Sequence, residues 1–394
     1  MTKTVTLRHD GNYRWNQILR SVYRIDQIRQ FFGFLPKNMV DALVERYKLD
    51  RYAKNIYFWS FLGLIIFTNI EGKKMTLHEA QSMTKNARAK MFTGIEPVAL
   101  SSLSDYINKL NTEALAELIR IILEEFKNQL GKKEKSLLRI FDTTWNMVTR
   151  KQFPQAVHSG GGEKNTIRMG LRVEGETLFP DLVLSHWDST SDNDVFEKLL
   201  NLVENAYLTY IFDQGFTKLA VLLEIDRSGN YFITRMFPSY SYQVLKELPI
   251  VEKKGSLEIL ADQEVLVGAD GNPGQGIFRR IEARTKGGML LVFLTDRWDL
   301  ESWAVCDTYK LRWRIEVIFR WLKQYLGLNH FIAHSLNGVL AQMLLLVLTY
   351  LLLLLFHRAF KGNAEFSLIE TIRTLHNITD EIPLEEPPPL IGNW

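Results

Sequence analysis

The chain has 394 residues, which is enough for two or three domains. Its 48 lysines and arginines nearly balance its 45 aspartates and glutamates, and the net charge of +3 excludes a protein that binds polyanions through its overall charge. The single cysteine excludes an internal disulfide and fits a reducing compartment. Because the stretch Met1–Trp15 is polar and charged, unlike a signal peptide, we expect a cytoplasmic protein.

The first 130 residues are mostly helical by pattern. Leu77–Lys90 and Val98–Leu110 predict two helices joined by a turn at Phe92–Pro97. The second helix would carry the hydroxyls, amide and cation of Ser101–Lys109 on an exposed face, as the recognition helix of a helix-turn-helix does. Any small helical bundle would show a similar pattern, which remains the alternative.

Two later segments predict strands that end in an aspartate. Leu137–Asp142 and Leu208–Asp213 are apolar, β-branched or aromatic runs, and each stops at a carboxylate followed by a polar residue. An aspartate in such a place is often only a turn former. It is equally well placed to face a cleft, so both are candidates for a catalytic site.

A third carboxylate lies in a predicted helix that begins near Tyr309. At 3.6 residues per turn, one narrow stripe of this helix carries a phenol, two cations and a carboxylate. These residues are Tyr309, Arg312, Glu316 and Lys323. A simpler explanation is that Glu316 pairs with Arg312 and Arg320 at four-residue spacing, as on many exposed helices.

At these residues the chain resembles a known group of enzymes. Asp142, Asp213 and Glu316, with the spacing Tyr-x2-Arg-x3-Glu-x6-Lys, resemble the DDE transposases of bacterial insertion sequences, and specifically the insertion-sequence-four family that this YREK pattern defines. The segments Asp213–Phe216 and Phe232–Arg235 add to the resemblance. It covers residues 130–355 well and the first hundred residues only loosely.

The order of the predicted elements supports the resemblance. Strands over 137–150, 165–174 and 177–186 precede a helix over 192–207, the strand ending at Asp213, a helix over 216–225 and a strand over 230–236. The resemblance implies an α/β fold, with a mixed sheet forming an RNase H-like catalytic core. Short strands predicted between 238 and 295 would form an all-β insertion that contacts DNA.

The resulting division has five parts. We expect a helical DNA-binding domain at 1–130, the RNase H-like core at 131–237 and 297–381, the β-strand insertion at 238–296, and an extended or disordered tail at 382–394. The second core part would hold the Glu-bearing helix and an apolar C-terminal helix.

One segment favours a different class of protein. Val339–Phe356 carries no charge over eighteen residues, which is long enough for a transmembrane helix, and Ile56–Ile70 is a shorter uncharged run. Gln342 inside the first run, and the absence of a second run of equal length, favour a buried helix that closes the catalytic core. A membrane-associated protein is the alternative.

The resemblance also implies a reaction and its site. Asp142, Asp213 and Glu316 would hold Mg²⁺, with Mn²⁺ as a substitute, because such carboxylates are hard oxygen ligands; two ions are expected. The enzyme would bind terminal inverted repeats, cleave DNA and transfer the strand by a cut-and-paste route through a hairpin. Residues expected to contact DNA are Tyr309, Arg312, Lys323, Arg235, Trp313 and Trp298.

The implied partners are double-stranded DNA and a second copy of the chain in a synaptic complex, without a membrane. The resemblance places the protein in the cytoplasm of a bacterium or archaeon, associated with the nucleoid. Two alternatives share the same residues. One is a catalytically silent DNA-binding or repressor protein derived from a transposase, and the other is a related metal-dependent nuclease that cuts without joining.

Overall fold

The computed structural model describes residues 30–71, 75–130, 137–154, 156–158, 164–186, 200, 206–216, 218–250, 257–268, 274–361 and 367–380. The chain divides into two compact units. Unit 1 comprises Met1–Phe126 and Trp321–Trp394, and unit 2 comprises Lys127–Arg320.

The described helices and strands alternate in blocks along the chain. The helices are α1 (Lys37–Tyr47), α2 (Phe58–Ile70), α3 (Leu77–Thr84), α4 (Ala87–Thr93), α5 (Leu100–Lys109), α6 (Thr112–Leu130), α7 (Leu219–Arg227), α8 (Ser302–Lys310), α9 (Trp313–Gln324), α10 (Leu336–Lys361) and α11 (Leu368–Asp380). The strands are β1 (Leu138–Thr149), β2 (Val157–His158), β3 (Lys164–Glu174), β4 (Pro180–His186), β5 (Thr209–Phe212), β6 (Tyr231–Arg235), β7 (Tyr242–Glu247), β8 (Leu257–Val267), β9 (Gly276–Thr285) and β10 (Leu290–Thr295).

Unit 1 is built around the two apolar helices α2 and α10. A helix that is apolar on all sides must be buried on all sides. Helix α10 accordingly contacts α2, α5 and α11. Asn69 of α2 donates from Nδ2 to Oγ1 of Thr349 at 3.3 Å, which pairs two polar groups inside this core. Gln342 is 2% exposed, and its amide accepts from the backbone N–H of Ile332 and donates to the carbonyl of His330.

The membrane alternative can be compared with this packing. Among the described residues, α10 is the one helix long and apolar enough to cross a membrane, and 94% of its most apolar stretch is buried inside the protein. The expectation of a buried helix therefore agrees with the packing. Helix α10 groups with the N-terminal helices in unit 1, whereas we expected it in the second part of the RNase H-like core.

The helices before residue 110 agree only in part with their prediction. The predicted helix Leu77–Lys90 is two helices, because Asn86 begins α4 by accepting the N–H groups of Arg88 and Ala89 on its side chain. The expected exposed face of α5 is partly correct. Ser101, Ser102, Asp105 and Lys109 are exposed or half-buried.

Asn108 is the exception on that face. Its Oδ1 accepts the backbone N–H groups of His334 and Ser335 at 2.9 and 2.8 Å. This half-buried amide therefore holds the chain just before α10.

Unit 2 contains a ten-stranded sheet in the order β2-β3-β1-β5-β6-β10-β9-β8-β7, with β4 pairing on β3. The pairs β1·β5 and β5·β6 are parallel, and the other pairs are antiparallel. Helix α7 packs its apolar side on one face, in a core with Phe141, Tyr210 and Phe212. The mixed α/β sheet agrees with the expected fold class.

The described strands of region 238–296 do not form a separate sheet. Strand β10 pairs directly with β6, with Phe293 opposite Arg235, and β9, β8 and β7 extend the same sheet outward. The strands expected between 238 and 295 were predicted to be short, but β8 is eleven residues long, with a register shift between Ile259 and Ala261.

The compact units also cut across the expected domains. Residues 131–237, 238–296 and the start of 297–381 lie in one unit, while the rest of 297–381 groups with the N-terminal helices. The tail 382–394, and the helix expected at 192–207 except for a few residues, lie outside the described residues.

Candidate active site

Two aspartates lie side by side at the centre of the sheet. The parallel register pairs Ile140 of β1 with Ile211 of β5, so Asp142 and Asp213, two residues further on, lie opposite each other. The preceding pair, Phe141 and Phe212, stacks with ring centroids 5.0 Å apart on the other face. Asp213 follows β5 as predicted, but Asp142 lies inside β1, which continues along β3 for seven more residues.

The predicted single helix from Tyr309 to Lys323 is wrong. Helix α8 ends at Lys310 and α9 begins at Trp313. Between them the N–H of Arg312 donates to Tyr309 O, and that of Arg314 to Leu311 O, each at 2.9 Å. These three-residue bonds tighten the turn, so Arg312 projects from a corner and not from a regular helical stripe.

Arg312 connects two of the three carboxylates. Its guanidinium lies 3.6 Å from Oδ2 of Asp142 and also donates to Oε1 of Glu316 in the first turn of α9. Burial works to lower the pKa of Arg312, but Tyr309 and the carboxylates of Asp213, Glu316 and Asp142 together raise it. Arg312 is therefore a fully charged centre among all three acids.

Tyr309 holds the third carboxylate. Its hydroxyl donates to Oδ1 of Asp213 at 3.1 Å, its ring packs edge-on against Phe293, and its side chain is 9% exposed. Burial, followed by the charge of Asp213, raises the pKa of Tyr309. The hydroxyl therefore stays protonated and donates a hydrogen bond to the carboxylate. The family resemblance predicts this hydroxyl on a DNA phosphate instead.

Asp142 has a perturbed acidity. Burial raises its pKa to about 6, against the lowering effects of the Thr143 N–H and of Arg312, and the charges of Glu316 and Asp213 raise it further. Buried acids with nearby like charges are typical of functional sites. The three carboxylates therefore share one electrostatic environment.

A hard divalent cation suits this donor set by its chemistry, since all three groups offer carboxylate oxygens. Within the described residues, however, no three Asp, Glu, His or Cys side chains converge closely enough to hold one metal ion. Asp142 and Glu316 are instead joined through Arg312. The residues fit a cation in type and neighbourhood, and Arg312 is the group that ligation by all three would displace.

The remaining predicted site residues have different surroundings. Arg235 ends β6, and its charge acts on the pKa of Tyr309. Trp298 and Trp313 are 46% and 55% exposed, and Arg320 lies 5.7 Å from the Trp313 ring. Lys323 lies near the end of α9, where burial lowers its pKa.

One supporting contact was missed by sequence reasoning. Arg314, in the first turn of α9, donates from Nη1 to the carbonyl of Gly175 at 2.8 Å. A Cβ at Gly175 would lie 2.7 Å from Cβ of Leu138, so the turn after β3 approaches β1 as only glycine allows. The Glu174-Gly175-Glu176 turn was visible in the sequence, but its contact with Arg314 was not.

Comparison with known families gives an independent result. The profile of the family described as "Transposase DDE domain" matches residues 134–352. That range contains all three carboxylates, with Tyr309, Arg312 and Lys323.

Two sequence relatives carry names that agree with the family profile. A protein named as a transposase, y4zB, of Sinorhizobium fredii is 23% identical over 73% of this chain and 80% of its own. A protein named as a transposase for insertion sequence element IS5377, of Geobacillus stearothermophilus, is 22% identical over 78% of this chain and 81% of its own. Among solved structures, a piggyBac transposase synaptic complex with hairpin DNA aligns with a TM-score of 0.48 at 9% identity, covering 89% of this chain and 80% of that one.

Proposed function

The chain belongs to the transposase DDE domain family, and from this premise we propose that unit 2 cleaves and transfers DNA strands at Asp142, Asp213 and Glu316. The observation that carries the proposal is the single cluster in which Arg312 contacts Asp142 and Glu316 while Tyr309 contacts Asp213. A matched spacing could arise by chance. A matched spacing whose members also gather around one arginine is much harder to explain as a solvated helix face.

The three carboxylates would hold divalent cations, Mg²⁺ with Mn²⁺ as a substitute, and two ions are the expected number. When bound, such ions lower the pKa of an attacking hydroxyl and neutralise charge on the leaving oxygen. DDE transposase domains generally use divalent metal ions. The partly buried, mutually repelling acids of this site give the same requirement, because they ionise together most easily beside added positive charge.

Arg312 would change partners when DNA enters. Its forked guanidinium binds carboxylate and phosphate with similar geometry, so a phosphodiester could take the place of one carboxylate. Tyr309 would keep Asp213 oriented throughout through its hydrogen bond. Lys323, Arg235, Trp298 and Trp313 remain proposed DNA contacts, with the two exposed tryptophans available for stacking on bases.

The reaction would begin with attack of water at the end of the element. The freed 3′-OH would then attack the opposite strand to form a hairpin, before opening and joining to target DNA. Unit 1 would bind the terminal inverted repeats, and two copies would act together on two ends. The YREK spacing supports membership of the insertion-sequence-four group, and a bacterial or archaeal nucleoid is the proposed location.

The test is excision of a marked copy of the element, with its native flanks, in cells that supply either the wild-type chain or Glu316→Gln. We expect excision by the wild type and its loss in the variant, because the amide cannot supply a charged ligand. The matched control is Glu258→Gln. That carboxylate is 66% exposed on β8 and makes one surface ion pair with Arg284.

Products decide between the candidate reactions. Purified chain with MgCl₂, end DNA and a denaturing gel would show nicked strands, then hairpins, then joined products. Nicks without joined product would identify a nuclease, and binding without nicks would identify a silent DNA-binding protein. Excision that survives in Glu316→Gln would refute the site.

A further inference from the structure

Unit 1 contains an open cavity of about 700 Å³ that the proposed catalytic site does not use. One wall is the outer face of α5, including Ser102, Tyr106 and Lys109. The other wall consists of residues 47–49 and 52–56, at the end of α1 and in the loop before α2. This cavity, named here the α5 pocket, lies entirely within residues 47–111 of one compact unit.

The α5 pocket has a surplus of positive charge. Lys48, Lys54 and Lys109 line it, and in the described part of the chain none of these ammonium groups forms an ion pair. Asp105 is the one carboxylate among the lining residues. Uncompensated lysines around a concave surface raise the local concentration of anions, so the pocket favours a negatively charged ligand.

Aromatic rings form the second part of the lining. Tyr52 is 82% exposed, and the guanidinium of the neighbouring Arg51 lies 5.3 Å from its ring centroid. Tyr106 is fixed from behind by the ring of Phe61 at 4.6 Å. Tyr47 is anchored by its hydroxyl on Glu117. Tyr47 and Tyr106 are therefore held in place, while Tyr52 presents an exposed ring beside a cation. Aromatic faces beside cations are a usual platform for unpaired bases.

The volume of the cavity decides which kind of polyanion can enter it. A DNA duplex, whose major groove alone is about 12 Å wide, cannot enter a space of this volume, whereas one nucleotide fits well within the roughly 300–1,000 Å³ typical of small-ligand pockets. Polar groups of Ser102 and Asn55 at the lining could meet the edge of a base. Aromatic faces suit the base, and lysines suit the phosphate.

From these features we infer that the α5 pocket binds one unpaired nucleotide of a DNA strand. The base stacks on Tyr52, and the flanking phosphates contact Lys54 and Lys109. The inference rests on the proposed function, since it supplies unit 1 with a way to recognise single-stranded or frayed DNA at a cut end. It adds a contact that neither the carboxylates nor the tryptophans of unit 2 provide.

The test uses the full chain and two fluorescent probes. One is a blunt duplex and the other is the same duplex with a short single-stranded overhang that carries 5-iodo-deoxyuridine. Anisotropy titrations over a range of salt give affinities for both, and ultraviolet crosslinking followed by mass spectrometry gives the contacted residue. We expect tighter binding of the overhang probe and a crosslink on Tyr52.

Variants distinguish the contribution of the Tyr52 ring to DNA binding from that of the lysine charges. Tyr52→Ala should weaken overhang binding by about tenfold, the scale of one lost base stack, and leave blunt-duplex binding unchanged. Tyr52→Phe keeps the ring and should bind like the wild type. The double variant Lys54→Ala with Lys109→Ala should reduce the salt slope by about 0.7 for each phosphate that is no longer neutralised. Lys85→Ala, an exposed lysine outside the pocket, is the charge control.

Each outcome is decisive. Equal affinity of the wild type for both probes, or unchanged overhang binding in Tyr52→Ala, would overturn the inference. A free nucleotide such as dTMP that fills the pocket without any preference for the overhang probe would show a small-molecule site and overturn the DNA assignment. Because the readout is binding, a chain that shows Tyr52-dependent binding but no Glu316-dependent nicking contradicts only the proposed reaction, and the reverse result contradicts only the pocket.

Discussion

Two aspartates near opposite ends of the parallel strands, Asp142 partly buried and Asp296 fully buried, have opposite surroundings. Asp142 lies beside the carboxyl end of β5, among Arg312, Glu316 and Asp213. Asp296 follows β10 at the amino end of β6, where its Oδ1 accepts the Phe232 N–H at 2.7 Å. Burial raises the pKa of Asp142 to about 6 and that of Asp296 to about 7.

A raised pKa therefore does not by itself mark a reactive group. Asp296 has the larger shift, yet its nearest hydrogen-bond donors are backbone groups, at a place where Thr295 also ties β10 to β6. Asp142 instead has three charged side chains around it, those of Arg312, Glu316 and Asp213. In sheets with parallel strands, ligands bind at the carboxyl ends, which is the end that holds Asp142 and Asp213.

The largest expected difference is in catalysis. Asp142→Asn should lower the nicking rate on the order of a thousandfold or more, since loss of one active-site charge stabiliser already costs about 10²–10³. Asp296→Asn should nick at close to the wild-type rate, because its amide oxygen can still accept the Phe232 N–H. Initial rates with MgCl₂ check this. Equal losses in both variants would mean that the catalytic role of Asp142 is wrong.

A second difference is in metal binding as a function of pH. A protonated Asp142 cannot act as a charged ligand, and its pKa is raised to about 6. The affinity for Mn²⁺ should therefore be level above pH 6 and weaken by about tenfold per pH unit below it. Electron paramagnetic resonance titrations of free Mn²⁺ between about pH 5 and 8 measure this. The Asp142→Asn variant should not show this loss of Mn²⁺ affinity below pH 6.

A third difference is in the pH dependence of the free energy of unfolding, to which Asp296 should contribute. Its folded pKa, about 7, is above the ordinary aspartate value of 3.8, so the folded chain binds more protons between these values. The free energy of unfolding then falls as pH rises from about 4 to 7, by at most about 1.4 kcal/mol per pH unit. Asp296→Asn should flatten this slope in urea unfolding curves, and an unchanged slope would contradict the assignment.

The smallest effect concerns how each acid is held. Asp213 depends on a side-chain donor, Tyr309, whereas Asp296 depends on a backbone donor. Tyr309→Phe removes one hydrogen bond, about 1 kcal/mol, and should reduce nicking about fivefold while the affinity for end DNA stays the same. A loss of DNA affinity instead would indicate that the hydroxyl binds phosphate.

Sequence reasoning located the acids better than the elements that carry them. Asp213 was placed correctly because β5 is a short, wholly buried run that stops at the acid. Asp142 was placed at a strand end, yet β1 runs on to Thr149 in antiparallel pairing with β3. The sequence of a strand does not show which strands it pairs with. The point where β1 loses its pairing with β5 and continues along β3 alone could therefore not be predicted.

The other errors have similar physical causes. No glycine or proline interrupts Lys310–Trp313, so the tight turn that places Arg312 at a corner could not be read from local propensity. The continuity of β10, β9 and β8 with β1, β5 and β6 depends on pairing between residues far apart in the chain, such as Arg235 with Phe293. The α5 pocket likewise depends on two segments that are distant in sequence.

The shared core of α2 and α10 has a consequence for the newly made chain. Helix α2 leaves the ribosome long before its partner: about 290 residues separate the end of one from the end of the other, or roughly fifteen seconds to a minute at typical synthesis rates. During that interval the apolar side chains of α2 lack their final cover, while the whole of unit 2 is completed. Chaperone demand should therefore peak before the last turns of α10 emerge, and a message truncated before Leu336 would yield a finished sheet and an unfinished helical unit.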